Sequence, residues 1–373
     1  MLVNVEDKIL DFLQVRRGLT TSEAVAVCSE EDSSIIACAF TASSKNVAWA
    51  TESNQIKMTL TSGEVATVGS HVGSMINIMK FGPKGKVLAT VGKDGTMMLW
   101  TRAKDKDQES KGSPCFVSRA INIPRLEVFQ FYFVSHSTDG SSIWSCGSNK
   151  KDDLSVLVVH SDGTAKVWLC ASGKLVDTKF SNLAFSITAC DISFCNMYLA
   201  MGDETGGLRQ FRLQEPKISI SLATHANKDM VVSACRYSPD VNFHYLAVGY
   251  NSGAFELWDF ADRKLLHMLN FHSSAVKDIL FATSNPKIIV SNSDRIALWN
   301  LAESGRKKPK TYNKKSWSPM PEVKTFEFNS CILPVQTVEL PCTGTTIKIR
   351  GNADLSTLVA MTDLGSIYKL KHL

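Results

Sequence analysis

The 373-residue sequence has no apolar run of 18 residues, no Asn-x-Ser/Thr sequon and no Cys-x-x-Cys pair. The first absence gives no membrane-spanning helix to read, and no secretory-type leader is read at the start. The last removes the usual spacing of a zinc or dithiol site. No Gly-x-Ser-x-Gly occurs, and GPKGKV (82–87) lacks both the glycine placement and the Ser or Thr after Lys that a phosphate loop needs. That segment reads as a hairpin turn. Charge is also in short supply: a formal net of +5 over this length is no argument for nucleic acid or a membrane surface. Ten cysteines are present, several inside apolar runs such as IIACAF (35–40) and ITACDISF (187–194), where a free thiol acts as a small hydrophobe. These features set the expectation of a reducing, cytoplasmic setting, and no catalytic, cofactor-binding or metal-ligating constellation stands out.

What the chain has instead is a repeat. Apolar run, polar turn and alternating strand recur in VLATVGKDGTMMLW (87–100), VLVVHSDGTAKVW (156–168), YLAMGDETGGLRQF (198–211), YLAVGYNSGAFELW (245–258) and IIVSNSDRIALW (288–299). Each is a β-hairpin signature. Weaker copies lie at 47–58 and 358–370. The closing positions are Met58, Trp100, Trp168, Phe211, Trp258, Trp299 and Leu370, separated by 42, 68, 43, 47, 41 and 71 residues. Four of these spacings sit near the period of roughly 40–45 residues of a four-stranded propeller blade. The two long ones predict insertions, and residues 101–115 and 303–322 are polar, charged and punctuated by Pro or Gly. Before the hairpins come strands ending in Phe40, Phe81, Phe194, Tyr237 and Phe281, three of them preceded by His71, His225 or His272.

This pattern resembles the WD repeat over almost the whole chain, although only Trp258-Asp259 keeps the WD dipeptide. The resemblance implies an all-β fold, a seven-bladed WD-repeat β-propeller over residues 20–373. The last blade is completed by EAVAVC (23–28), which leaves no open sheet edge. The 68-residue gap leaves room for an eighth blade, because FQFYFV (129–134) and SIWSCG (142–147) are both strand-like. Residues 1–19 read as a short amphipathic helix, with Asn4 as cap and Ile9, Leu10, Phe12 and Leu13 as its apolar stripe.

In WD repeats a His, a turn Asp and the closing Trp hydrogen-bond within a blade. The resemblance assigns that role to His71, Asp94 and Trp100 and to His272, Asp294 and Trp299, with Asp162, Trp168 and Trp258 as further structural blade residues. The loop RKKPKTYNKK (306–315), with Arg306, Lys307, Lys308 and Lys310, reads as a solvated insertion or a patch for an anionic partner. Trp317 beyond it is a rigid aromatic suited to anchoring an interface.

The last forty residues resemble the C-terminal end of the apoptotic protease-activating factors, the apoptosome scaffolds. The shared pattern is Gln336-Thr337, Thr343-Gly344-Thr345, the strand Ile347-Lys348-Ile349, and Asp363-Leu364-Gly365 leading to Tyr368. That resemblance implies a non-catalytic sensor propeller that restrains an upstream nucleotide-binding module until a signal engages it, so that caspase activation waits on the signal. It implies protein partners, an intramolecular contact with that module, no cofactor and a monomer when isolated. Cytochrome c, the strongly basic signal in vertebrates, is a poor match to a chain of net positive charge. The competing expectation is a WD-repeat scaffold or substrate-recognition subunit of another complex.

Overall fold

Twenty-nine strands, all antiparallel to their partners, make up nearly all the regular structure of the computed structural model. It describes residues 24–29, 35–41, 46–60, 64–82, 85–102, 116–121, 123, 126–136, 143–144, 154–180, 183, 185–213, 219–223, 230–239, 244–270, 272, 274–283, 287–292, 295–300, 336–339, 346–351, 355, 357–362 and 366–371. The expected helix at 1–19, Asp294, His225 and the loop carrying Arg306, Lys307, Lys308, Lys310 and Trp317 lie outside these residues.

After β1 (Ala24–Ser29), the first sheet holds β2 (Ile35–Phe40), β3 (Val47–Thr51), β4 (Gln55–Thr59) and β5 (Val65–Ser70). The second holds β6 (Ile76–Phe81), β7 (Val87–Gly92), β8 (Met97–Arg102) and β9 (Phe116–Ile121). The third holds β10 (Val128–His136), β11 (Ile143–Trp144), β12 (Leu154–His160), β13 (Ala165–Leu169) and β14 (Leu175–Phe180). The fourth holds β15 (Ile187–Ile192), β16 (Tyr198–Asp203), β17 (Leu208–Arg212) and β18 (Ser219–Ala223). The fifth holds β19 (Val232–Tyr237), β20 (Tyr245–Tyr250), β21 (Ala254–Asp259) and β22 (Lys264–Asn270). The sixth holds β23 (Asp278–Phe281), β24 (Lys287–Ser291), β25 (Arg295–Asn300) and β26 (Gln336–Glu339). The seventh joins β27 (Thr346–Gly351), β28 (Thr357–Thr362) and β29 (Ser366–Lys371) to β1, which pairs antiparallel with β29. The chain's first described strand therefore completes the sheet built by its last three, where the sequence places the clasp.

The second strand of a sheet is buried from end to end: β3, β16 and nearly all of β7, β12 and β20. Such a strand needs cover on both faces, which explains its continuous apolar sequence in place of alternation. The cover comes from neighbouring sheets. Ile56 and Val68 meet Ile76, Met79 and Trp100 between the first two, and five further clusters join each sheet to the next through to the seventh. The outer strand β5 faces solvent and alternates. The architecture is a β-propeller.

Two expectations change. Thr101 and Arg102 belong to β8 and pair with Val117 and Phe116, so the polar insertion begins after them. Of the strand-like segments, 129–134 lies in β10, the inner strand of the third sheet, and Ile143–Trp144, the described part of 142–147, pairs with its end.

Inner strands consecutive in the chain lie side by side, β2 by β6, β10 by β15, β15 by β19, β19 by β23 and β23 by β27. One register position recurs on them, occupied by Ala39, Lys80, Tyr132, Asp191, Arg236, Leu280 and Arg350. From this position side chains tie one inner strand to the next. Lys80 Nζ donates to the Phe131 carbonyl at 2.7 Å, and the Tyr132 hydroxyl donates to the Cys190 carbonyl at 2.7 Å. Asp191 accepts from the Tyr237 amide at 2.8 Å. Arg236 donates from Nε to the Ile279 carbonyl at 3.1 Å while its NH2 reaches Asp278 at 2.8 Å and its NH1 lies 3.5 Å from Asp191. Where the sixth sheet has Leu280, Asp278 two residues earlier takes over and accepts from the Ile349 amide at 3.2 Å. Burial pushes the Asp191 carboxyl up, against the pull of Arg236. Desolvation opposes the charge of Arg236, but Asp191 and Asp278 outweigh it and hold the guanidinium ionised.

Arg236 thus spans three consecutive inner strands. Arg236→Met should leave two largely buried carboxylates without their cation and cost about 3 kcal/mol, read as a fall in the urea midpoint. The combination with Asp191→Asn and Asp278→Asn should recover much of that loss. A single substitution costing under about 0.5 kcal/mol would contradict the belt.

Candidate functional site: the face of the second-to-third-strand turns

In the second to fifth sheets, the turn after the second strand carries glycine at φ between 79° and 87°: Gly95, Gly163, Gly206 and Gly253. A side chain is strained in that left-handed region, and Asn54 takes the place in the first sheet at φ 62°. The segments that enter the inner strands lie beside these turns and bond to them. Lys93 N donates to Met75 O, Ser161 N to Glu127 O and Asn251 N to Val231 O, at 3.0–3.1 Å. Turn and entry segment together make one rigid face, on which Val72 is 73% and Leu126 42% exposed. Among the described residues this face also carries exposed Glu52, Glu127, Asp162 and Glu204, against exposed Lys93 and Lys277.

Beneath this face lie the polar clusters. In the second sheet the hydroxyl of Thr90 joins His71 and Trp100: it sits 2.9 Å from His71 Nδ1 and accepts from Trp100 Nε1 at 2.9 Å. His71 and Trp100, expected to hydrogen-bond within one blade, meet through this hydroxyl. Asp94 serves the turn, accepting from the Thr96 amide and hydroxyl at 3.0 and 2.9 Å, and its own amide donates to Ser74 Oγ at 2.8 Å. Desolvation raises the Asp94 pKa, but the hydrogen bonds from Thr96 and Ser74 prevail and hold it at about 2. Burial lowers the His71 pKa against a smaller opposing effect of Asp94, so the ring is neutral at pH 7.

Sequence reasoning missed Thr90 because a threonine within a strand carries no motif signal; its place ten residues before Trp100 was the available clue. That comparison explains the other sheets. The third has Val158 at this place, and Trp168 Nε1 finds no acceptor among the described residues. Asp162 keeps the turn role, accepting from the Thr164 amide and hydroxyl at 2.8 and 2.9 Å. In the fifth sheet, fully buried Glu256 accepts from Trp258 Nε1 at 2.8 Å and from the Tyr250 hydroxyl at 2.9 Å. Burial first, then Glu256, drives the Tyr250 pKa far up.

One register position controls the differences. It ends the second strand opposite the start of the inner strand, as Thr51, Gly92, His160, Asp203 and Tyr250, and the same step along the register reaches Asn292 in the sixth sheet. A Cβ on Gly92 would lie 2.8 Å from Asp94, 2.9 Å from Ser74 and 3.1 Å from His71. Only glycine leaves room for the histidine arriving from the entry segment. Elsewhere the position supplies its own group. His160 fills it in the third sheet, and Asp203 in the fourth accepts from Thr205, Gly207 and Arg209.

His272 and Trp299 are both buried, with ring centroids 6.0 Å apart, and Trp299 also packs edge-on against Phe255 at 4.9 Å. Here Asn292 holds the turn: its Nδ2 donates to Ser274 at 3.1 Å and its Oδ1 accepts from the Arg295 amide at 2.8 Å. Asp294, the residue expected in this role, lies outside the described residues. Among the described residues no group of three His, Cys, Asp or Glu could hold a metal ion, and no helix is long and apolar enough to cross a membrane.

The domain family described as WD domain, G-beta repeat matches residues 62–101. That span takes in β5 and then β6, β7 and β8, so the matched unit bridges two sheets and contains His71, Thr90, Asp94 and Trp100. The fold is a WD-repeat β-propeller, of the kind that typically serves as a non-catalytic interaction scaffold. A comparison with curated proteins gave no match.

Thr90→Val should strand two buried nitrogens and cost about 1–3 kcal/mol. Val158→Thr, which offers Trp168 the missing acceptor, should raise stability by about 0.5–1.5 kcal/mol. Urea titrations of both variants check this, and equal losses in the two would refute the comparison between sheets.

Proposed function

We propose that the chain is a protein-interaction propeller whose working surface is the face of the second-to-third-strand turns. The observation that carries this is exposed Val72 and Leu126 on hydrogen-bonded entry segments, surrounded by carboxylates. Aliphatic groups on rigid backbone lose little entropy on docking, and the charges around them select the partner. A protein presenting basic groups fits this face.

More specifically, the chain acts as the regulatory propeller of an apoptosome-type scaffold, in the cytoplasm. It holds an upstream nucleotide-binding module inactive, and caspase activation with it, until a signal binds. The ordered likeness of residues 334–373 to the apoptotic protease-activating factors supports this, and those residues supply β26 to β29. Among acidic residues that could meet a basic ligand, Asp203 is buried on Arg209 and Glu204 is exposed, while Glu30, Glu31, Asp32, Asp152 and Asp153 lie outside the described residues. Local charge governs docking because salt screens beyond about 8–10 Å. The positive net charge is therefore a weak argument against cytochrome c, and the acidic face alone does not select it.

The second reading, a WD scaffold of another complex, is favoured by the basic segment 306–315. Pull-down from cell extract with the intact chain, with Val72→Lys/Leu126→Lys and with residues 303–322 deleted separates them. Partners lost with Val72 and Leu126 that include a nucleotide-binding oligomerisation protein or a caspase are the expected result. Partners lost only with 303–322 and belonging to another assembly overturn the apoptosome reading. Partners indifferent to both changes overturn the proposed face.

A further inference from the structure

The outermost strands differ in one respect that bears on recognition. Such a strand has one ladder edge without a partner, a template for a further strand unless it is blunted. Bulges blunt it in most sheets. Register breaks occur in β5 between Ile56 and Lys57 of its partner, in β14 at two places, in β18, in β22 and in β1. β26 is regular but only four residues long. β9 alone among them is six residues long and pairs without a break, from Met97↔Ile121 to Arg102↔Phe116.

Its exposure is also distinct. Val117, Ser118, Arg119 and Ala120 are exposed in succession, Val117 to 55%, so solvent reaches both faces of the strand. β5, by contrast, buries alternate residues. The strands β8 and β9 themselves carry Arg102 and Arg119, on opposite faces, and no carboxylate, while the segment that joins them carries Asp105, Asp107 and Glu109 beside Lys104, Lys106 and Lys111. Arg119 donates to the Ala171 carbonyl in the turn after β13, a turn that presents exposed Lys174.

We propose that β9 is a docking edge for an extended acidic segment of a partner protein, which adds a fifth strand to the second sheet. The backbone ladder supplies the affinity. Side chains on the face shared by Val117 and Arg119 supply selectivity, with a β-branched residue beside Val117 and Asp or Glu reaching Arg119 and Lys174. The partner is not a second copy of this chain paired through β9, since that would bring Arg119 of each copy beside the other without a compensating acid. This inference adds a second surface to the interaction reading above, and it uses a different rim from the turn face.

The test uses the full chain and a synthetic eight-residue peptide, Val-Thr-Glu-Thr-Val-Thr-Glu-Thr, which sets Val and Glu on one face. A control peptide has proline at every second position, and a second control replaces Glu by Lys. Hydrogen exchange followed by mass spectrometry reads residues 116–121. The acidic peptide should slow exchange there at least tenfold when saturating, and neither control should. Val117→Glu/Ala120→Glu, chosen to leave the ladder with β8 intact and to repel the acidic peptide, should abolish the protection without lowering the melting temperature by more than a few degrees. Equal protection by the proline peptide, or none by the acidic one, overturns the proposal. So does exchange in the free protein as slow along all of β9 as in β7, which would mean the edge is already covered. Loss of partner capture through Val72 and Leu126 is read separately, so failure of either surface is distinguishable from failure of the other.

Discussion

A strand buried on both faces cannot be satisfied by its own sheet, and every other feature of this propeller follows from that constraint. The second strands are apolar along their length because each is roofed by the sheet before it and the sheet after it. A lone sheet here would present two apolar faces to water. Stacking in a ring gives each face a neighbour, and the β1–β29 pairing ties the chain's early strand into the sheet its late strands build. Packing alone, however, leaves the rotation of one sheet against the next loosely set. The polar belt on the inner strands sets it, because Lys80, Tyr132, Asp191, Arg236 and Asp278 each reach a backbone group or a charge on the adjacent strand. Directional bonds at the narrow centre fix an angle that dispersion at the rim only fills.

The same logic accounts for how the repeats have diverged. The His71–Thr90–Trp100 arrangement needs a histidine in the entry segment, a hydroxyl in the second strand and empty space at Gly92. When one part is lost the others lose their reason. With Val158 in place of the hydroxyl and His160 in the emptied space, the third sheet keeps its tryptophan for packing alone. The fifth sheet found a different acceptor, Glu256, and filled the space with Tyr250. What persists in all described cases is the turn: a carboxylate, amide or glycine that fixes its backbone and so keeps the outer face rigid. Core chemistry varies while the shape of the face is preserved.

Much of this was legible in the sequence because hairpins and burial leave periodic marks. Closing residues at regular intervals located the third strands, and the continuous apolar runs located the second. The clasp was legible as a strand left over at one end and missing at the other. Three features were not. Thr90 and Asn292 look like ordinary strand and turn residues until a partner across the blade is known. The belt depends on side chains whose partners lie about 40 to 70 residues away, beyond any local pattern. Residues 129–134, an apolar run in a long gap, fit an extra blade as well as an elongated inner strand, and only pairing with β12 decided between them.

The central claim, that no sheet has a core of its own, is tested most directly by native-state hydrogen exchange across β3, β7, β12, β16, β20 and β24. The account predicts that their slowest amides share one opening free energy, with one common dependence on denaturant. A graded series, in which individual sheets open independently at well-separated free energies, would contradict it.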